Sequence, residues 1–323
     1  MSNMSARRYA IIGTGAIGGY YGARLQQAGC EVHFLLRSDY EHVRQQGLVV
    51  ESVAGDFTLP TVNAYTDPSQ MPPVDVVIIA LKATQNHLLP ELLSAFDDQT
   101  VMLTLQNGLG IEAEIAKWVK PEQILSGLCF ICSNKVGPGQ IRHLDFGKIL
   151  LGAYSATQQP RGITAQMRAI AADFTQARIL VELTDDLFMA RWRKLVWNIP
   201  FNGLSVVLDA TTAEMMADQN LRTKIETLMA EVINTANTWG EKLSGDSHRA
   251  IPQSFIAELM AHTARMKPYC TSMKIDYNEG RPLEVEAILG NPVRAAAEIG
   301  AAVPQMETLY QQVKGLAEKA ANS

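Results

Sequence analysis

The sequence predicts an α/β N-terminal domain built on a mostly parallel sheet, followed by an all-α domain. Three observations predict it. Short apolar runs alternate with helical patterns through the first half, a glycine-rich turn directly follows the first run, and helical periodicity takes over from about Asp185. At 323 residues the chain has room for two domains of about 100–200 residues each. Its 47% hydrophobic and 19% charged residues describe a chain that buries a core.

The runs Tyr9–Ile12, Glu31–Leu36, Val74–Ala80, Val101–Leu105 and Ile124–Phe130 read as strands. They are nearly continuous in apolar residues, as parallel strands covered on both faces must be. An amphipathic stretch at Gly19–Ala28 joins the first two. Lys135–Gly152, punctuated by Gly137-Pro138-Gly139 and Asp145-Phe146-Gly147, reads as antiparallel strands closing one edge of the sheet. The boundary falls near Val181–Thr184, giving domains 1–182 and 183–323. Beyond it Leu221, Ile225, Leu228, Val232 and Ile233 share one helical face. Pro268, Pro282, Pro292 and Pro304 punctuate the rest.

Several function classes lose support from composition. A net charge of −5 offers no general basic surface for nucleic acid. The apolar run after Arg7-Arg8 ends at Ile12, too short for a secretion signal or a membrane span, so a cytoplasmic location without a membrane partner is expected. Cys129 and Cys132 form a C-x-x-C inside an apolar run. No second ligand pair follows at zinc spacing, so they read as core and no metal is expected. The sequence does not fix the oligomeric state, and apolar faces left exposed on the helical domain leave a homodimer open.

Gly13-Thr14-Gly15-Ala16-Ile17-Gly18 is a G-x-G-x-x-G placed between a strand and a helix, the context that gives the motif meaning. The first glycine permits a tight turn, the second lets a pyrophosphate approach the backbone, and the third lets helix and strand pack closely. A helix N-terminus offers free N–H groups to that pyrophosphate. The N-terminal domain is therefore Rossmann-type and binds a dinucleotide. After the second strand, where an NAD-binding chain places an acid for the ribose 2′-hydroxyl, stands Arg37-Ser38. Arg37 suits a 2′-phosphate, hence NADPH; the alternative is a solvated arginine. Asp39 would repel that phosphate if it pointed inward.

Ligands of open α/β sheets bind beyond the carboxyl ends of the strands. Lys82-Ala83-Thr84-Gln85 and Gln106-Asn107-Gly108-Leu109-Gly110 occupy two such ends, as ligand-binding groups or as helix caps. In the helical domain Lys194, Asn198 and Asn202 recur every fourth residue within Leu195, Val196, Trp197, Ile199 and Phe201, so one helix presents them as a polar stripe. Such groups need partners if buried. A substrate rich in oxygen is one partner, and solvent is the other. Pro200 should kink that helix.

Taken in order, these residues resemble the ketopantoate reductase (2-dehydropantoate 2-reductase) family. The matching set is Gly13-x-Gly15-x-x-Gly18, Arg37, Leu81-Lys82-Ala83-x-Gln85, Asn107-Gly108-x-Gly110, Pro138-Gly139 with His143, Lys194-x-x-x-Asn198-x-x-x-Asn202, and Thr271-Ser272-Met273 before Leu283-Glu284-Val285-Glu286. The resemblance implies that Lys194 is the general acid and that Glu284 orients it and the substrate. It implies that Asn107, Asn198, Asn202 and Ser272 hydrogen-bond a small 2-oxo acid. It implies that Gly13, Thr14, Gly15, Ala16, Ile17, Gly18, Arg37, Lys82, Gln85 and Asn107 hold NADPH. Where the family often has Asn-Pro, this chain has Asn202-Gly203, a departure expected beside the substrate's far end. Two rival readings are a family reductase acting on another 2-oxo acid and a non-enzymatic NADP-sensing module; a proton-donating lysine serves only the first.

Overall fold

The computed structural model describes residues 7–244 and 249–321. It divides into two compact units. The first runs to Leu187 and omits the loop Asn107–Gly110; that loop and everything from Phe188 onward make the second.

The first unit is built on one sheet. Its strands are β1 (Arg8–Ile12), β2 (Glu31–Leu35), β3 (Leu48–Ser52), β4 (Phe57–Leu59), β5 (Asn63–Tyr65), β6 (Val76–Ile79), β7 (Val101–Thr104), β8 (Ile124–Gly137), β9 (Gln140–Ala153) and β10 (Val181–Thr184). The order is β4-β3-β9-β8-β7-β6-β1-β2-β5, with β10 also on β9. From β8 across to β5 every neighbouring pair is parallel, and Ile11 sits level with Phe34 on one side and Ile78 on the other. The helices of this unit are α1 (Ala16–Gln27), α2 (Tyr40–Gln46), α3 (Leu89–Leu93), α4 (Ile111–Ile115) and α5 (Ala165–Gln176). Its core joins Tyr9, Ile11, Ile78 and Leu103 of the strands to Tyr21 and Leu25 of α1 and Met167, Ile170 and Phe174 of α5.

Two features differ from the sequence expectation. The antiparallel pair β8–β9 is present, but it does not close an edge. Strand β9 is fourteen residues long, enough to hold two neighbours on its outer side. Strand β3 pairs with Gln140–His143 and β10 with Ile149–Gly152. Between them Phe146 and Gly147, both at positive φ, break the ladder. Because β10 belongs to this sheet, the first unit extends to Leu187, five residues past the expected boundary. The short strands β3, β4 and β5 were not anticipated.

The second unit is helical: α6 (Leu187–Val207), α7 (Thr212–Ala217), α8 (Gln219–Ser244), α9 (Ser254–Arg265), α10 (Ser272–Asn278), α11 (Asn291–Glu298) and α12 (Pro304–Ala321), with one π-helical turn at Glu286–Gly290. Helix α6 continues through Pro200. Ile225, Leu228, Val232 and Ile233 of α8 are fully buried and Leu221 packs beside them, facing Trp192, Val196 and Ile199 of α6 and Met306, Leu309 and Val313 of α12 in one core. Large exposed apolar side chains gather on the first unit instead, at Val53, Trp118, Phe130, Val136, Leu144, Phe146, Ile163 and Leu180. Leu208 is the counterpart on the second unit among the described residues. Among the described residues, the large exposed apolar side chains thus lie mainly on the first unit rather than on the helical one. No helix among the described residues is long and apolar enough to cross a membrane.

Candidate active site

The glycine-rich turn has the geometry its spacing requires. Gly13 has φ +97°, and a Cβ there would stand 2.6 Å from the Leu81 amide nitrogen, so only glycine brings the turn against the end of β6. A Cβ on Gly18 would stand 2.3 Å from the Gly13 carbonyl oxygen and 2.9 Å from Ile11, which fixes the close approach of α1 to β1. Over Gly15 there is open space. Gly15 is also the N-cap of the twelve-residue α1, and no side chain caps that end. Open backbone before an uncapped N-terminus fits a diphosphate. The Thr14 hydroxyl is spent internally, donating to the Leu35 carbonyl at 2.9 Å and tying the turn to the end of β2.

Beyond that strand end Arg37 is exposed and donates to the Gln85 side-chain carbonyl at 3.4 Å, so two of the expected cofactor residues meet. Lys82 stands at the N-cap position of the 3₁₀ turn Ala83–Leu88, without a side-chain capping bond. The buried Gln106 amide anchors this loop, donating to the Leu81 carbonyl at 2.9 Å and to Asn86 at 2.7 Å. Asp39 does not face the cofactor side as an unpaired acid. It is buried and accepts from Lys135 at 2.6 Å and from the Gly139 amide at 3.0 Å.

The second unit holds the lysine–asparagine stripe. The Lys194 ammonium donates to the Asn107 side-chain carbonyl at 2.7 Å. The loop carrying Asn107 is stapled in place from three sides. Arg191, one helical turn before Lys194 and buried, donates to the Gly108 carbonyl at 3.1 Å. The Leu109 amide donates to the Ala287 carbonyl at 2.8 Å, and the Asn291 amide to the Leu109 carbonyl at 2.6 Å. Gly108, at φ +101°, lies so close to Ala287 that a Cβ would stand 2.4 Å from its carbonyl oxygen. Ala287 sits within the π-helical turn, a local irregularity that often marks functional positions.

Asn198 and Asn202 are both buried. The Asn202 side-chain carbonyl accepts from the Met273 amide at 3.4 Å, which brings Asn202 and Ser272 to the same helix start. Ser205 of α6 hydrogen-bonds Thr271, the N-cap of α10, at 2.7 Å and locks that start. The Asn198 side chain has no hydrogen-bond partner among the described residues. Glu284 is buried immediately ahead of the π-helical turn, and its carbonyl accepts from Ile288.

One expectation changes here. A Cβ on Gly203 would stand 2.6 Å from Leu309 Cδ2 and 2.8 Å from its Cγ, so this glycine serves the packing of α6 on α12 rather than the substrate end. Trp197 stacks on Phe201 with ring centroids 4.8 Å apart and donates its indole N–H to Thr263 at 3.0 Å, again internal contacts. Sequence reasoning missed Arg191, Asn291 and the Ala287 carbonyl. The only forward signal was an arginine placed one helical turn before Lys194.

Comparison with known proteins matches both halves of the chain. The model of the ketopantoate reductase PanE/ApbA family matches residues 9–156, and that of its C-terminal domain matches residues 186–317. A 2-dehydropantoate 2-reductase of Nostoc sp. is 57% identical over 97% of this chain and 96% of its own length. The crystal structure of a 2-dehydropantoate 2-reductase from Geobacter metallireducens is 41% identical with a TM-score of 0.89, over 97% of this chain and 99% of that one. One from Methylococcus capsulatus is 32% identical with a TM-score of 0.84, over 98% of both. With both halves and the whole length matched, the chain belongs to the ketopantoate reductase PanE/ApbA family.

Proposed function

We propose that this chain reduces 2-dehydropantoate to pantoate with NADPH, a step of pantothenate biosynthesis. The observation that carries the reading is the Lys194 ammonium fixed on the Asn107 amide, in a helix whose other stripe members are buried asparagines. When bound, the nicotinamide supplies a hydride to the ketone carbon. Lys194 stabilises the charge developing on the ketone oxygen and gives it a proton. Asn107 holds Lys194 in line, and Glu284 orients lysine and substrate. Asn198 has an amide to offer the substrate. Asn202, its carbonyl engaged by Met273, presents its N–H₂ group, with Ser272 beside it.

The residues present suit the cofactor. Gly13, Thr14, Gly15, Ala16, Ile17 and Gly18 shape the diphosphate turn, and Arg37 with Gln85 takes the 2′-phosphate. Lys82 and Asn107 serve the nicotinamide half. Four free thiols, Cys30, Cys129, Cys132 and Cys270, suit a reducing cytoplasmic location.

The test is loss of NADPH absorbance with purified protein across a panel of 2-oxo acids. Fastest turnover on 2-dehydropantoate is the expected result. A faster analogue would keep the mechanism and move the substrate. Tight NADPH binding with no turnover on any member would replace the reductase reading by that of an NADP-sensing module.

A further inference from the structure

The turn that carries Arg37 also carries an acid, and a neighbouring hairpin holds that acid. Arg37-Ser38-Asp39-Tyr40 is a tight turn, closed by the Tyr40 amide donating to the Arg37 carbonyl at 3.1 Å. An acid after the second strand is the device by which related sheets hold an unphosphorylated ribose. A free carboxylate here would oppose a 2′-phosphate. The Asp39 carboxylate receives Lys135 at 2.6 Å, the Gly139 amide at 3.0 Å and the Ser38 hydroxyl at 3.1 Å. Burial by itself would raise this carboxyl, but the Lys135 ammonium and the other donors hold it below the usual aspartate value, so it stays ionised.

Lys135 and Gly139 both belong to the β8–β9 hairpin, whose turn is seated against α2. Gly139 has φ +64°, and a Cβ there would stand 2.9 Å from the Gly47 carbonyl and 3.1 Å from Val43. The Gly139 carbonyl in turn accepts from the Val49 amide at 2.9 Å. The hairpin is thus a rigid support, and its lysine reaches back to the turn.

We propose that Lys135 is a positioning residue for cofactor specificity: it neutralises Asp39 and keeps its carboxylate on the hairpin, so that the Arg37 turn meets the adenosine ribose as a cation. The proposal rests on the reading of Arg37 as the 2′-phosphate ligand. Removing the lysine charge changes the turn from net positive to neutral, which disfavours the phosphorylated cofactor and leaves the other unaffected.

The experiment is titration of NADPH and NADH, without substrate, into the wild type, Arg37→Ala, Lys135→Met, Lys135→Arg and the double variant Lys135→Met/Asp39→Asn. Arg37→Ala is expected to weaken NADPH alone. If it weakens both cofactors equally, the phosphate seat lies elsewhere and both readings fall. Given that seat, Lys135→Met should weaken NADPH about five- to tenfold with NADH unchanged. Lys135→Arg should stay near wild type, and Asp39→Asn should restore NADPH binding to Lys135→Met. Equal weakening of both cofactors by Lys135→Met overturns the proposal while the Arg37 reading stands. Weakening of NADPH that Asp39→Asn does not rescue also overturns it, since Lys135 would then touch the phosphate itself. Should Lys135→Met not fold, Lys135→Gln reads the same ratio.

Discussion

The chain handles charge in two ways, and the contrast lies between Lys194 in the helical unit and Arg37 in the sheet unit. Lys194 sits on a long helix with its ammonium on Asn107, and the backbone around Asn107 is pinned by Arg191, Ala287 and Asn291. Arg37 is exposed on a turn, with one long contact to Gln85 at 3.4 Å. A charge in an apolar surround must have partners built by the fold, because desolvation without them costs several kcal/mol. An exposed guanidinium needs none, so its role shows only in what surrounds it: the absent acid, and an aspartate held elsewhere. On the proposed roles, reaction chemistry is written into packing, while cofactor choice is written into a surface turn that can change without disturbing the core.

The sharpest way to break this contrast is Lys194→Ala. Loss of the proton donor should lower kcat by about 10²–10⁴-fold with NADPH binding retained. Turnover near wild type would move the chemistry away from the stripe. Next in size is Arg191→Met. It removes the donor from the Gly108 carbonyl and leaves a buried acceptor short of a partner, at a cost of about 1–3 kcal/mol in unfolding free energy. Because the loop that aims Asn107 then loosens, kcat should fall by about 10- to 100-fold. Lost stability with unchanged kcat would reduce Arg191 to a packing residue.

The sequence made the sheet and its glycine turn readable because both rest on local rules. Apolar runs, a G-x-G-x-x-G and a missing acid are all visible within about 30 residues. The lysine–asparagine stripe was readable as periodicity on one helix. What escaped is non-local or made by backbone. β4 and β5 are three residues each and partly exposed, and β3 offers only the short run Leu48-Val49-Val50. Asn107 and its staples lie about 80 to 180 residues apart along the chain, and all three contacts end on main-chain carbonyls that no side-chain pattern reveals.

Gly203 shows the same limit from the other side. Its place beside Asn202 suggested a substrate contact, yet its Cα faces Leu309 of α12. Gly203→Ala should therefore cost about 1–3 kcal/mol of stability by overpacking and leave KM for the 2-oxo acid unchanged. In a Leu309→Ala background, where the three nearest atoms are gone, the same methyl should cost less. A shift in KM with no change in melting temperature would return Gly203 to the substrate.

The smallest expected effect probes whether the sheet unit, too, buries polar groups only when every site is filled. His143 is buried against Tyr20, with ring centroids 4.4 Å apart. Its Nε2 faces the Asp145 and Phe146 carbonyls at 3.1 and 3.0 Å. Carbonyls only accept, so Nε2 carries the proton and Nδ1 accepts from the Ser52 hydroxyl at 2.8 Å. Ser52 already accepts from the Ala54 amide and from Arg24, which leaves no lone pair for a second histidine proton. Burial lowers the His143 pKa below 6.5, and the Arg24 cation pushes the same way against the two carbonyls. The unfolded chain thus takes up the proton more readily, and stability must rise with pH across this range. The loss should set in as pH falls below 6.5 and be complete below the depressed folded value. Urea unfolding of wild type and His143→Gln at a series of pH values isolates this contribution, since His33, also lowered by burial, is common to both. The difference in stability between the two proteins should shrink as pH falls through this window. A difference independent of pH would mean that the folded protein takes up the proton as readily as the unfolded chain, and that the Ser52 pairing is not the constraint the geometry describes.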